Sequence, residues 1–233
     1  MKVAIMQPYI FPYLGYFQLV RAVDVFVFYD DVNFIKRGWI NRNQLLNHGE
    51  SRLFSIPLNK ASQNKLINEI GLAIEPKWKK QFYASLVQSY KKAPNFDLVY
   101  DLVTTIMDKE YNSIADLTCS SVKEVSNFLG LSTVFKLSSE EFPETKGLER
   151  ADRLITITKK LCARQYINPA GGSELYTKDY FSKHNIELSF IANNLPDYQQ
   201  FDYPFVNGLS IIDVLMFVPK QEVLKMLDLY ELN

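Results

Sequence analysis

Two stretches near the amino terminus gather the groups that could bind and process a charged small molecule. The first, Gln7-Pro8-Tyr9-Ile10-Phe11-Pro12-Tyr13-Leu14-Gly15-Tyr16, sets three tyrosines and a glutamine amide around one glycine and two prolines. Tyrosine rings can wall a base or sugar ring while their hydroxyls hydrogen-bond it, and a glycine lets a ligand approach the backbone. The second stretch runs from Asp30 and Asp31 through Lys36, Arg37, Gly38, Trp39 and Asn41 to Arg42. Lys36, Arg37 and Arg42 can clamp phosphates, the arginines in bidentate geometry. Asp30 or Asp31 can act as a general base or hold Mg²⁺. The spacing does not choose between them, and a hairpin that only solvates its polar face has the same pattern. A third candidate, Asn168-Pro169-Ala170-Gly171-Gly172-Ser173-Glu174, places Gly171 and Gly172 ahead of a helix, where successive N–H groups can cradle an anion. A plain Gly-Gly turn reads at least as well. Lys146, Glu149, Arg150 and Arg153 precede that loop and fit a solvated helix face.

These groups need a scaffold. An apolar run from Val3 to Met6, a helical pattern from Phe17 to Asp24 and a second apolar run from Val25 to Tyr29 give strand, loop, helix, strand. In such a βαβ unit ligands sit at the carboxyl ends of parallel strands, where Gln7, Asp30 and Asp31 fall. Arg52 to Pro57 and Ile67 to Ile74 read as further strands. Trp78 to Lys91, Phe96 to Lys109 and a segment from Ser113 to Gly130 read as helices, with Trp78, Phe82, Leu86 and Tyr90 on one face. After a strand at Val134 to Leu137 and an exposed turn at Ser138 to Glu141, the chain continues with a helix from Leu148 to Ala163. A strand at Gln165 to Asn168, a helix near Lys178 to Lys183, a strand at Ile186 to Ile191 and two closing helices complete it. The expected fold is α/β, a mostly parallel sheet with flanking helices and a Rossmann-like core. Residues 1–75 and 131–233 form that core, and 76–130 an all-helical insertion or lid.

Composition removes several function classes. Lysine plus arginine balances aspartate plus glutamate at 26 each, so no global field favours nucleic acid or an anionic membrane, and a cationic site must be local. No apolar run nears the roughly 20 residues of a transmembrane helix, and the amino terminus lacks a signal-peptide pattern. A cytoplasmic location is expected. Two cysteines and two histidines, all far apart, do not suggest a zinc site. Neither a Ser-His-Asp nor a Cys-His arrangement is present to argue for nucleophilic catalysis.

The segments MQPYIFPYLGYFQLV, DDVNFIKRGWINRN, YINPAGGSELY with NIELSF, and LSIIDVLMF together resemble the WbqC-like family along essentially the whole chain. The positions carried over include Gln7, Pro8, Tyr9, Pro12, Gly15, Tyr16, Asp30, Asp31, Lys36, Arg37, Asn41 and Arg42. Tyr166, Gly171, Gly172, Tyr176, Ser210 and Asp213 complete them. The resemblance implies a cytoplasmic enzyme of bacterial surface-polysaccharide (O-antigen) biosynthesis. Its implied reaction is acyl or aminoacyl transfer to the amine of a nucleotide-linked amino sugar. In layout alone, Tyr13-Leu14-Gly15-Tyr16 is similar to the His-x-Gly-His element of nucleotidyltransferases and class I tRNA synthetases, with tyrosines that carry no charge at neutral pH. The expected ligand is a nucleotide-linked sugar or a nucleotide, with Mg²⁺ or a nucleotide cofactor and a homo-oligomer left open. A non-catalytic nucleotide-sugar-binding subunit and a nucleotidyltransferase are the alternatives.

Overall fold

Side chains of the first strand alternate between two buried faces, and that alternation organises the protein. The computed structural model describes all 233 residues. Strand β1 (Lys2–Met6), helix α1 (Leu14–Arg21) and strand β2 (Val25–Phe28) open the chain. A hairpin of β3 (Arg42–Asn47) and β4 (Glu50–Ser55) follows, then helices α2 (Pro76–Tyr90), α3 (Phe96–Met107) and α4 (Ile114–Leu129). Next come β5 (Val134–Leu137), the short α5 (Ser138–Glu141), α6 (Arg150–Lys160), β6 (Gln165–Pro169) and α7 (Lys178–Ser182). The chain ends with β7 (Glu187–Asn193), α8 (Ile211–Phe217), α9 (Lys220–Leu227) and β8 (Tyr230–Leu232).

Six strands form one sheet in the order β5-β2-β1-β6-β7-β8, parallel except for β8. Val3, Ile5, Val25, Val27, Tyr166 and Leu188 point to one face, where they pack with Leu154 and Ile157 of α6 and Phe181 of α7. Ala4, Phe26, Phe28, Ile167 and Ile191 point to the other, into a larger core that includes Phe17 of α1. A parallel sheet buried on both faces reads as continuous apolar strands, as β1 and β2 do. The helical stretch 76–130 shares the larger core, contributing Phe82, Leu86 and Tyr90 from α2, Val103 from α3 and Val122 from α4. None of the helices is long and apolar enough to cross a membrane.

The connection after β1 enters α1 on the large-core face, whereas that after β6 runs through a 3₁₀ turn, Ala170–Glu174, into α7 on the opposite face. Neighbouring strands whose connections leave on opposite faces make a topological switch point, the usual ligand crevice of an open α/β sheet. The β1–β6 ladder holds only Lys2↔Gln165 and Val3↔Tyr166, while β6 stays paired with β7 as far as Pro169↔Ile191. Beyond Val3 the two central strands part.

Several local expectations needed correction. Ile67 to Ile74 is not a strand but a 3₁₀ turn, Ile67–Glu69, followed by one isolated bridge, Leu58↔Leu72. Its two fully buried residues, Ile67 and Ile70, are three apart, a helical rather than a pleated spacing. The exposed turn at Ser138 to Glu141 is instead one turn of helix with Ser138 buried, because its hydroxyl meets two carboxylates. Helix α1 begins at Leu14, inside the expected loop.

Candidate ligand cavity at the switch point

The loop leaving β1 is held in a strained shape by partners far along the chain. Phe11 lies fully buried with φ of +40°, a left-handed value that costs a non-glycine residue roughly 1–3 kcal/mol. Its N–H donates to Ser121 Oγ (3.2 Å), and its carbonyl accepts from Asn43 Nδ2 (2.6 Å) and Ser210 Oγ (2.7 Å). Asn43 Nδ2 also donates to the Ile10 carbonyl (3.0 Å), and Ile211 N–H to that of Pro12 (2.9 Å). Groups from α4, β3 and the start of α8 thus fix one conformation before any ligand arrives.

Behind this loop lies a cavity of about 380 Å³, within the usual range for small-molecule sites. Met6, Tyr9, Tyr13, Gly15 and Tyr16 wall it from the β1 side, and Pro169, Ile191 and Asn193 from the ends of β6 and β7. Trp39 and Asn43 close it from the second polar stretch, and Gly208 from the loop before α8. No lining residue carries a formal charge. Burial, aided by Tyr13, pushes the Tyr9 hydroxyl up to about 12, and burial raises those of Tyr13 and Tyr16. All three are therefore neutral near pH 7 and act as hydrogen-bonding groups, not as bases. Tyr16 donates to the Gln7 carbonyl at 2.9 Å, and the Tyr9 hydroxyl and the Tyr13 hydroxyl bond no protein group.

Helix α1 starts against this cavity with no side-chain cap and no acidic residue in its first turn. The N–H groups of Leu14 and Gly15 find no acceptor in the protein. Gly15 is required by its neighbour: a Cβ there would stand 2.5 Å from Tyr13 Cε2. The glycine lets the Tyr13 ring lie across the helix start.

The structure brings five of the expected residues, Tyr9, Pro12, Tyr13, Gly15 and Tyr16, to the cavity. Gln7 lies one residue beyond Met6 with its side-chain amide unbonded. Lys36 and Arg37 are exposed on the loop that carries Trp39 and do not line the cavity. Asn41 and Arg42 tie the hairpin: Asn41 Nδ2 donates to Ile56 O (3.0 Å) and Arg42 Nε to Gly38 O (2.9 Å). Gly171 is exposed and Gly172 is buried, on the far side of the sheet from Gly15. Sequence reasoning passed over Asn193 and gave Trp39, Asn43 and Pro169 no role, although each stood in a candidate stretch. Trp39 and Asn43 stood inside a stretch already singled out, but their signal was masked by the charged residues around them.

Asp30 and Asp31 follow β2 and are both buried. Asp30 accepts from Ser138 Oγ and Ser139 N–H (3.0 Å each), from Ser139 Oγ (2.5 Å) and weakly from Asn68 Nδ2 (3.4 Å). Asp31 accepts from Ser138 Oγ (2.5 Å) and pairs with Arg153, whose terminal nitrogen lies 2.6 Å from Oδ2. Arg153 is thus no part of a solvated helix face. Its position in α6 turns it inward beside Leu154 and Ile157, and the Asp31 carboxylate compensates its buried charge.

A separate polar centre anchors the loop 194–209. Asp213, fully buried in α8, accepts from Tyr90 Oη (2.8 Å), Tyr198 Oη (2.6 Å) and Gln200 Nε2 (2.7 Å), with no cation bonded to it. Desolvation outweighs these bonds and raises its carboxyl above the ordinary 3.8. The folded protein therefore favours the protonated form more than the unfolded chain does. That contribution to stability is complete below 3.8 and is lost as pH rises through the higher folded value. Urea unfolding of wild type and Asp213→Asn across acid pH checks the sign. The wild type's advantage should shrink with rising pH; a constant or growing difference contradicts it.

The uncharacterised protein Rv1507c of Mycobacterium tuberculosis is 26% identical over 220 residues, spanning 93% of this chain and 94% of that protein. No solved structure matches. A family model described as the WbqC-like protein family matches residues 7–225, and the chain belongs to that family.

Proposed function

We propose that the protein is a transferase that modifies the amine of a nucleotide-linked amino sugar by acyl or aminoacyl transfer, in bacterial surface-polysaccharide biosynthesis. One observation carries this reading. A preorganised aromatic cavity stands where the connections from β1 and β6 diverge, with free N–H groups of α1 at its edge. Such a cavity suits a ring-bearing ligand: tyrosine and tryptophan faces stack on it, and unbonded hydroxyls and N–H groups receive its oxygens. Lys36 and Arg37, on the Trp39 loop, supply cationic charge outside the rim for the diphosphate. Amide formation requires a group that accepts the amine's proton. Neither Asp30 nor Asp31 lines the cavity; Asp30 is the less committed of the two, because its donors are neutral while Asp31 is paired with Arg153.

The experiment is a calorimetric titration with nucleotide-linked amino sugars and free nucleotides, followed by turnover with acyl and aminoacyl donors. Binding to none of them by folded protein ends the reading. Binding without turnover by any donor selects the second reading, a non-catalytic nucleotide-sugar-binding subunit. One observation favours that alternative: no residue lining the cavity is charged near neutral pH.

A further inference from the structure

One polar side chain of the aromatic cavity has its orientation dictated from outside the cavity. Gln18 of α1 is fully buried, and one end of its amide meets three carbonyls: Asn194 O (3.0 Å), Met226 O (2.8 Å) and Leu229 O (2.9 Å). Three acceptors around one atom require that atom to be the NH₂ nitrogen, because an oxygen there would find no donor. Gln18 Oε1 is therefore turned to Asn193, at the end of β7. The Asn193 atom 2.7 Å from Oε1 must donate, so it is Nδ2, which also donates to Gly15 O at 3.2 Å. With Nδ2 spent on α1, Oδ1 is the one polar atom of that side chain without a protein partner. Asn193 lines the cavity. The other asparagine of the lining is committed at both ends. Asn43 gives Nδ2 to Ile10 O and Phe11 O, and its oxygen accepts from Gln44 N–H at 2.8 Å.

We infer that Asn193 Oδ1 accepts a hydrogen bond from the amine of the bound amino sugar, with Gln18 as the residue that positions it. This rests on the proposed transferase reading and names the contact that selects its substrate. An amide oxygen can only accept, so the ligand group beside it must carry N–H or O–H. A phosphate, carboxylate or carbonyl oxygen would leave Oδ1 unpaired and repelled, and is kept from this wall. An acceptor also suits the chemistry. An amine that donates an N–H keeps its lone pair free to attack an acyl carbon, whereas one that accepts a hydrogen bond has that pair occupied. The lining holds no carboxylate to pair with an ammonium, which favours the neutral, nucleophilic amine.

The test is calorimetric titration of UDP-glucosamine, UDP-2-deoxy-2-fluoroglucose and UDP into wild type, Asn193→Leu and Gln18→Met, with melting curves for each. Fluorine can accept weakly but cannot donate, so wild type should prefer the amine over the fluoro compound by about tenfold, the worth of one hydrogen bond and the cost of leaving its acceptor unpaired. Asn193→Leu, of similar shape but without the acceptor, should abolish that preference and bind UDP as wild type does. Gln18→Met should melt lower and also lose the preference, because Asn193 is then free to turn. A merely structural Gln18 would weaken all three probes alike and leave their ratio unchanged. Equal binding of the amine and fluoro compounds by wild type overturns the inference while leaving the transferase reading intact, as does a preference that survives Asn193→Leu. Weakened UDP binding by Asn193→Leu also overturns it, since Asn193 then serves the nucleotide or the fold. Failure of folded wild type to bind any of the three removes the nucleotide-sugar reading and this inference with it.

Discussion

Arg153→Ala should destabilise the protein by roughly 3–5 kcal/mol, the usual cost of removing one partner from a buried ion pair. The pair is 5% and 4% exposed at its two side chains, so the Asp31 carboxylate left behind cannot recruit water without opening the junction. Arginine does more there than balance charge. Its Nε donates to Thr145 Oγ1 at 3.0 Å, and its guanidinium stacks on Tyr29. The residue therefore joins α6, the turn before it and the end of β2. Since folded proteins are commonly stable by only about 5–15 kcal/mol, the loss should be plain in a urea midpoint. Replacing both partners by apolar residues, Asp31→Leu with Arg153→Met, should recover much of the stability, because the penalty comes from the orphaned charge. A loss below about 1 kcal/mol for Arg153→Ala, the range of an exposed pair, shows that the junction is held some other way. The result also governs activity assays: a variant at Asp31 inactive through unfolding says nothing about proton transfer.

Gly15→Ala should have the largest effect on ligand binding for the smallest change in composition. Within a helix, alanine is ordinarily favoured over glycine by roughly 0.5–1 kcal/mol, so α1 alone gives no reason for Gly15. Tyr13 gives one. With a Cβ 2.5 Å from Cε2 and 2.8 Å from Cζ, the ring must leave its place. It is only half-buried, so it can swing aside and the fold should hold. The cavity then loses one wall and has a displaced ring in its mouth. Losing one stacking face is worth roughly 1–3 kcal/mol, about five- to 150-fold in affinity. Titration with UDP-N-acetylglucosamine measures it. Tyr13→Ala should show a similar loss, and the double variant little more than either, since both act through one ring. Undiminished binding by Gly15→Ala with an unchanged melting point excludes the Tyr13 wall from the site.

The opening βαβ unit and the start and end of α4 were legible because near neighbours determine them. Val3 to Met6 and Val25 to Phe28 are short apolar runs bounded by polar residues, the pattern of strands buried on both faces. Ser113 and Asp116 bond each other's backbone N–H groups at the start of α4, and Gly130 takes the left-handed conformation at its end. Strand β8 was illegible because its three residues are a strand only by pairing with β7. The loop singled out after the first strand lines the cavity. Sequence reasoning misjudged the charged groups. Arg153 and Asp31 lie 122 positions apart, and nothing local tells a buried arginine from a solvated one.

From the sequence alone came the α/β class, the family resemblance and five residues of the cavity wall, because periodicity, capping and turn chemistry act over a few residues. Tertiary structure alone decided that Trp39, Asn43 and Asn193 complete that wall, that Asp31 is locked to Arg153, and that the sheet parts between β1 and β6. Those outcomes depend on which distant group meets each polar atom once water is excluded, and the chain makes that choice only on folding.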